Sequence, residues 1–282
     1  MTRVLVPYDQ SEQAEHALDH ALSTFDSATV VVLHVVQPFA DHTGAGGYEA
    51  TRVPQQLEAA REMLDSLRAE QDDPERVETA ARYGRPAHVI VRYVETEGID
   101  HVVLGNRGRD GATRLLLGSV AESTARRSSA PVTVVRGSET DRTVEDVLVA
   151  FDGSTHARRA LDHAFDRFPE ATLTVLYVVY PPTEHTREGT TGFEVLEDWA
   201  GERDDHAASV LSIAEEAAAD RGRTVETRTA AGKPAATILD HAGDADHVVV
   251  GSAGRDGVSR LLLGSVAETV LRRSPVSVTV VK

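Results

Sequence analysis

Short apolar runs alternate along this chain with stretches whose apolar residues recur every three or four positions, and the alternation begins at once. Arg3–Tyr8 is apolar and closes on Asp9-Gln10-Ser11; Ala14, Ala17, Leu18, Ala21 and Leu22 then follow at helical spacing. That order predicts strand, turn and helix. Thr29–Val36 reads as a second strand, Gln55–Leu67 as a helix opening after Pro54, Val77–Arg82 as a third strand, and Ala87–Val94 as a helix after Pro86. His101–Leu104 makes a fourth strand, a glycine-rich loop follows, Ser119–Arg127 is helical, and Pro131–Arg136 is a last strand. Strands that are nearly continuous Val, Ile and Leu, alternating with helices, predict a parallel sheet covered on both faces.

The pattern then repeats. Aligned without gaps, residues 101–135 and 247–281 agree at 24 of 35 positions. Val4-Leu5-Val6-Pro7-Tyr8-Asp9 answers to Val147-Leu148-Val149-Ala150-Phe151-Asp152, and Gly84-Arg85-Pro86-Ala87 to Gly232-Lys233-Pro234-Ala235. A period this long is a whole domain rather than a solenoid repeat. Two tandem domains are therefore expected, 1–137 and 143–282, joined by the short polar stretch Gly137-Ser138-Glu139-Thr140-Asp141-Arg142. Each should be a five-stranded α/β layer with its ligand crevice at the carboxyl ends of the strands.

Charge narrows the choice of ligand. The chain has 282 residues, with 29 Lys+Arg against 45 Asp+Glu and a formal net charge of −16. Only Lys233 and Lys282 are lysines. A nucleic-acid surface needs a basic patch to displace counterions, so this balance argues against one. So many carboxylates beside so little lysine suggest adaptation to a salt-rich cytoplasm, where salt screens self-repulsion. The absence of cysteine excludes disulfides, thiolate metal sites and cysteine nucleophiles. No stretch approaches the roughly 18 apolar residues of a membrane span, and Met1–Pro7 lacks the features of a secretory signal. A soluble, cytoplasmic protein is expected. The twelve histidines show no metal-ligand spacing and read as surface or strand-end residues.

The chemistry-bearing residues gather at the expected carboxyl edge. Gly105-Asn106-Arg107-Gly108, nine residues, then Gly118-Ser119 at a helix start recurs as Gly251-Ser252-Ala253-Gly254, nine residues, then Gly264-Ser265. Glycines let a backbone approach a ligand closely, and a helix N-terminus offers free N–H groups, so this loop either cradles phosphates or forms a plain turn with Ser119 and Ser265 as N-caps. Neither the G-x-G-x-x-G fingerprint nor the P-loop fits its position or composition. Arg107, Arg109, Arg114, Arg255 and Arg260 are candidate phosphate donors or solvated loop arginines. Asp9 and Asp152 close the first strand of each copy, with Ser11 and Ser154 two residues on. Such an aspartate either accepts from a ribose or base, or bonds its own backbone in a turn.

Asp9-Gln10-Ser11 and Asp152-Gly153-Ser154, Leu33-His34-Val35-Val36 and Leu176-Tyr177-Val178-Val179, the Gly-x-Pro-Ala turns and the spaced glycine loop together resemble the universal stress protein family over nearly the whole chain. The resemblance implies a Rossmann-like domain of strand order 3-2-1-4-5 and, in the nucleotide-binding branch, ATP at the crevice, with or without Mg2+. It implies that Asp9 and Asp152, with Ser11 and Ser154, face the adenosine and that Val35 and Val178 contact adenine. Gly105, Arg107, Gly108, Gly118, Ser119 and Val120, with Gly251, Gly254, Gly264, Ser265 and Val266, would hold ribose and phosphates. Gln10 departs from the usual glycine, and Ala253 from the usual bulky polar residue. Family members commonly dimerise through the last strand, so Pro131–Arg136 and Val276–Val281 are expected to pair as an internal pseudo-dimer, with a further homodimer as an additional option.

Three functions remain in play: an ATP-binding stress-response module with little turnover, a slow ATPase using Asp110 or Asp256 on Mg2+, and a nucleotide-independent interaction protein. The absence of a Walker B pattern and of an evident base favours the first. Gln37–Val53 and Tyr180–Phe193 are expected to fold over the nucleotide as lids.

Overall fold

β-Branched runs need cover on both faces, and alanine-rich helices supply it closely. The computed structural model describes residues 2–38, 46–106, 117–137, 144–180, 192–254 and 263–282, with the side chains of 46–51 and 192–203 left aside. The chain divides into two compact units, Met1–Arg142 and Thr143–Lys282.

In the first unit the elements run β1 Arg3–Pro7, α1 Glu12–Thr24, β2 Thr29–Val36, α2 Gly46–Ala69, β3 Val77–Tyr83, α3 Pro86–Thr96, β4 His101–Gly105, α4 Ser119–Arg127 and β5 Val132–Val135. Their order across the sheet is β3-β2-β1-β4-β5, with every pair parallel. The second unit runs β6 Asp146–Ala150, α5 Thr155–Arg167, β7 Thr172–Val179, α6 Gly192–Ala219, β8 Glu226–Ala231, α7 Pro234–His241, β9 His247–Gly251, α8 Ser265–Arg273 and β10 Ser277–Val281. Its order is β8-β7-β6-β9-β10, again all parallel. Each unit is thus a Rossmann-like layer. The connections from β1 and from β4 leave in opposite directions, which opens a crevice between their carboxyl ends.

Right-handed crossovers then place α1 and α2 on one face and α3 and α4 on the other. On the first face Val4, Val6, Val30, Val32 and Val103 meet Ala14, Ala17, Leu18 and Ala21 of α1 and Leu64 of α2. The second unit repeats this with Val147, Val149, Val175 and Val249 against Ala157, Ala160, Leu161 and Ala164. Small side chains at these helical positions bring each helix down onto its sheet.

Two expectations need correction. α2 starts at Gly46, upstream of the expected Gln55, and Pro54 lies inside it; proline forfeits one N–H but its fixed φ is itself helical. Residues 46–53 and 192–193, expected in lids, belong to α2 and α6, while 39–45 and 181–191 lie outside the described residues. Of the surface and strand-end readings, His101 and His247 take the second, opening β4 and β9, but they are buried: their Nε2 atoms bond Thr133 and Thr279 at 2.8 Å each, and their rings lie 4.8 and 4.9 Å from Phe25 and Phe168. A threonine hydroxyl on the next strand thus takes up one ring nitrogen of each buried imidazole.

Two arginines brace the opposite end of the first helix in each unit. Arg76 donates to the carbonyls of Leu22, Phe25 and Ala28 at 3.4, 2.7 and 3.4 Å. Arg223 donates to those of Phe165, Phe168 and Ala171 at 3.3, 3.2 and 2.8 Å. Each guanidinium satisfies carbonyls left over around a helix C-terminus, where a cation is also favoured by the helix dipole.

Candidate functional site

The turn after the first strand is built by its own polar side chains. In the first unit Asp9 Oδ1 accepts from the Ser11 N–H at 3.1 Å and from the Ser11 hydroxyl at 2.5 Å. Ser11 Oγ in turn accepts from the Ala14 N–H at 3.2 Å and caps α1. The second unit matches: Asp152 Oδ1 accepts from the Ser154 N–H at 2.9 Å, and Ser154 caps α5 through the Ala157 N–H at 3.2 Å. The turn reading of these residues is therefore realised, and it engages one carboxylate oxygen of each aspartate. The other oxygen of Asp152, Oδ2, faces the glycine loop, 3.0 Å from where a Cβ on Gly254 would stand. Between aspartate and serine the backbone is left-handed, with φ 65° at Gln10 and 78° at Gly153.

The glycine closing the fourth strand is required by the fold itself. A Cβ on Gly105 would lie 2.5 Å from the Gln13 carbonyl oxygen, and one on Gly251 would lie 2.7 Å from the His156 carbonyl carbon. These glycines admit the first turn of α1 and α5 against the strand ends. From there the chain is pinned on both sides of the loop. Asn106 N–H bonds the Val135 carbonyl at 3.2 Å and its own carbonyl receives the Gly118 N–H at 2.8 Å; Ser252 and Gly264 repeat this at 2.6 and 2.7 Å.

Gly118 and Gly264 are the N-cap residues of α4 and α8, and no side chain caps either helix among the described residues. Ser119 and Ser265 stand one position later and are exposed, so the alternative in which they cap the helices is not realised. The first helical bonds run from Glu122 to Gly118 and from Glu268 to Gly264. The N–H groups of Ser119 and Val120, and of Ser265 and Val266, precede those bonds, and the positive end of the helix dipole coincides with them. The contrast with serine-capped α1 and α5 is clear. An anion at the start of α4 or α8 meets donors that take no partner among the described residues.

On the face that carries α3 and α4 in the first unit, and α7 and α8 in the second, Val35 and Val178 are half-buried near the ends of β2 and β7, beside Arg82 and Ala230 on the neighbouring strands. The Gly-x-Pro turns border the same edge. Gly84 and Gly232 have φ 146° and 154°, donate to the Val36 and Val179 carbonyls at 3.0 and 2.9 Å, and set Arg85 and Lys233 at the N-caps of α3 and α7.

Each crevice thus combines an aspartate turn, a half-buried valine, a glycine at the strand end and an uncapped helix start. Arg107, Gly108, Arg109, Asp110, Arg114, Arg255, Asp256 and Arg260 lie outside the described residues. Sequence reasoning passed over two cations at the second mouth. Arg158 Nε donates to the Gly153 carbonyl at 3.2 Å, and Arg159 Nη1 donates to that of Lys282 at 3.3 Å. Their position in the helix turn after Asp-x-Ser was the signal available. Burial pushes the Lys282 ammonium down to about 8. A separate cavity of about 250 Å³ beside β3, lined by Arg61, Leu64, Asp65 and 79–82, contains none of the expected site residues. Among the described residues no three His, Cys, Asp or Glu side chains group to hold a metal ion, and no helix is long and apolar enough to cross a membrane.

The universal stress protein family model matches residues 1–136 and again 143–282. A universal stress protein of Mycolicibacterium smegmatis is 30% identical over 297 residues, covering 99% of this chain and 96% of its own. The crystal structure of a universal stress protein from Archaeoglobus fulgidus superposes with a TM-score of 0.70 at 24% identity, covering 99% and 98% of the two chains. A shorter universal stress protein, solved in complex with cAMP, is 30% identical and covers 50% of this chain and 99% of its own, with a TM-score of 0.38.

Proposed function

The chain belongs to the universal stress protein family, and on that premise we propose that it is a cytoplasmic stress-response protein binding an adenine nucleotide, ATP in the first instance, in each of the domains 1–137 and 143–282. The observation that carries this reading is the uncapped start of α4 and α8, where the N–H groups beside Gly118 and Gly264 have no partner among the described residues. Phosphates supply the acceptors those donors lack. Val35 and Val178 give the base an apolar floor, and the outer oxygen of Asp9 or Asp152 gives the ribose an acceptor. Gly105, Gly251 and Gly254 keep the loop backbone close, and Gly108 and Arg107, outside the described residues, are assigned to the first domain's site by sequence. Mg2+ accompanying the triphosphate would bind chiefly through the phosphates. The role is regulatory or protective, since positioned nucleophile chemistry needs more than a phosphate cradle.

Calorimetric titration of the full chain with ATP, ADP and AMP tests this, alongside Gly118→Val and Gly264→Val. Saturable heat in the wild type, reduced in each variant that remains folded by circular dichroism, is the expected outcome. No heat from the wild type would leave the interaction-protein reading, and phosphate release above background would move the protein to the slow ATPases. Two further proposals rest on sequence alone. Pairing of the last strands into an internal pseudo-dimer predicts that separately expressed halves associate when mixed. Adaptation to salt predicts an unfolding midpoint that rises from low to molar salt, and a flat response would end that idea.

A further inference from the structure

We propose that the two sites discriminate by phosphate charge: the second domain is the triphosphate site, and the first favours an adenine ligand with fewer phosphates. This rests on the nucleotide-binding reading above. The first turn of α1 or α5 borders the candidate phosphate loop, because Gly105 stands against Gln13 and Gly251 against His156. Side chains on a helix lean toward its N-terminus, so residues of that turn reach back to the crevice mouth.

What they carry differs in sign. The first turn of α1 holds Glu12 and Glu15. Glu15 accepts from the Tyr8 hydroxyl at 3.5 Å, which places it over the end of β1, and His16 lies 4.0 Å from Glu12. The first turn of α5 has no acidic residue, and Arg158 and Arg159 stand where the first copy has Glu15 and His16. Arg158 is tied to the Gly153 carbonyl, between Asp152 and Ser154. Arg159 is tied to the Lys282 carbonyl, next to the Val281 carbonyl that receives the Ser252 N–H. Both guanidinium groups are exposed and flank the start of the Gly251–Gly254 loop.

The remaining charges at the two mouths nearly balance. Asp9 answers to Asp152, Arg85 to Lys233, and Arg136 to Lys282. Two differences in the aligned sequences run the other way, Arg107 against Ala253 and Arg82 against Ala230. Arg82 sits at the base end rather than the phosphate end. Its guanidinium lies 5.3 Å from the centre of the Tyr93 ring and donates to the Ala81 carbonyl. Replacing two glutamates and a histidine with a threonine and two arginines outweighs the one loop arginine. An anion with more phosphates gains more from that difference, and the gain fades as salt screens it.

The test is calorimetry of the full chain with ATP and AMP, in Arg158→Glu/Arg159→His and in Glu12→Thr/Glu15→Arg. In the wild type ATP is expected to fill one site well before the other, and AMP to show less difference. For charges about 10 Å from the phosphates, the first variant should lower the ATP-to-AMP affinity ratio of the tighter ATP site about five-fold at 0.1 M salt, and scarcely at 1 M. The second variant should raise the ratio of the weaker site. If one variant fails to fold, the other decides. Unchanged ratios in the folded variants, or equal ATP affinity at both wild-type sites, would overturn the charge inference while leaving nucleotide binding intact. No binding of either nucleotide to the wild type would overturn both.

Discussion

Replacing Gly251 with alanine separates two duties that a glycine at a strand end can have, admitting a helix or admitting a ligand. Its backbone is not left-handed, so the effect of a Cβ is steric alone. That atom would stand 2.7 Å from the His156 carbonyl carbon, 2.8 Å from its oxygen and 2.9 Å from its Cβ. Ordinary carbon contacts lie at about 3.5–4.0 Å, so the first turn of α5 must retreat by roughly 1 Å. Two of the three neighbours are backbone, which a rotamer change cannot relieve. Overpacking of this kind costs about 1–3 kcal/mol, and a rigid neighbour puts this site near 3. Burying the new methyl group returns about 0.8 kcal/mol. A net loss of about 2 kcal/mol follows, which for a unit of this size lowers its melting temperature by roughly 6–10 °C. The measurement is thermal unfolding without nucleotide, with Gly243→Ala as control, because nothing lies within 4 Å of a Cβ there. The control should melt within a degree or two of the wild type. If Gly251→Ala also melts like the wild type while losing nucleotide affinity, helix packing is not what this glycine serves.

Other consequences can be measured on the same protein. Gln10 holds φ 65° where the second copy has a glycine, so Gln10→Gly should stabilise the first unit by about 0.5–1 kcal/mol in urea melts, the left-handed strain exceeding glycine's entropy in the unfolded chain. Gly153→Gln should do the reverse, and equal midpoints for both variants would contradict the strain argument. Burial pushes His20 and His163 down to about 4, with Arg167 adding to the effect at His163. A base whose folded value lies below its unfolded one stabilises the protein above about pH 6.5, and that stability is lost as pH falls toward 4. The loss is at most about 3 kcal/mol for each ring, less because both are only half-buried. His20→Gln/His163→Gln should flatten the profile between those values, and an unchanged acid limb would assign it to carboxylates instead.

The tandem architecture, the parallel sheets and the type of nearly every element were legible in the amino-acid order, because helix and strand periodicities are local and a duplicated pattern announces itself. Locality also explains why Asp9, Asp152 and the spaced glycines could be assigned to strand ends before any contact was known. Tertiary structure alone decided what those residues meet. Gly105 and Gly251 look like loop glycines in sequence, yet the constraint on them comes from Gln13 and His156, far away along the chain. Ser119 and Ser265 could be caps or ligand donors in sequence, and the bonds from Glu122 and Glu268 decide against caps by starting the helices one residue earlier. His101 and Arg76 gave no periodic signal, since a buried imidazole needs a threonine on the next strand and a bracing guanidinium needs carbonyls from another helix. Arg158 and Arg159 follow the same rule: sequence shows only two arginines on a helix, and the packing of α5 against β9 turns them into charge at the edge of the candidate crevice. Periodicity is written in neighbours along the chain, whereas a site is made of neighbours in space.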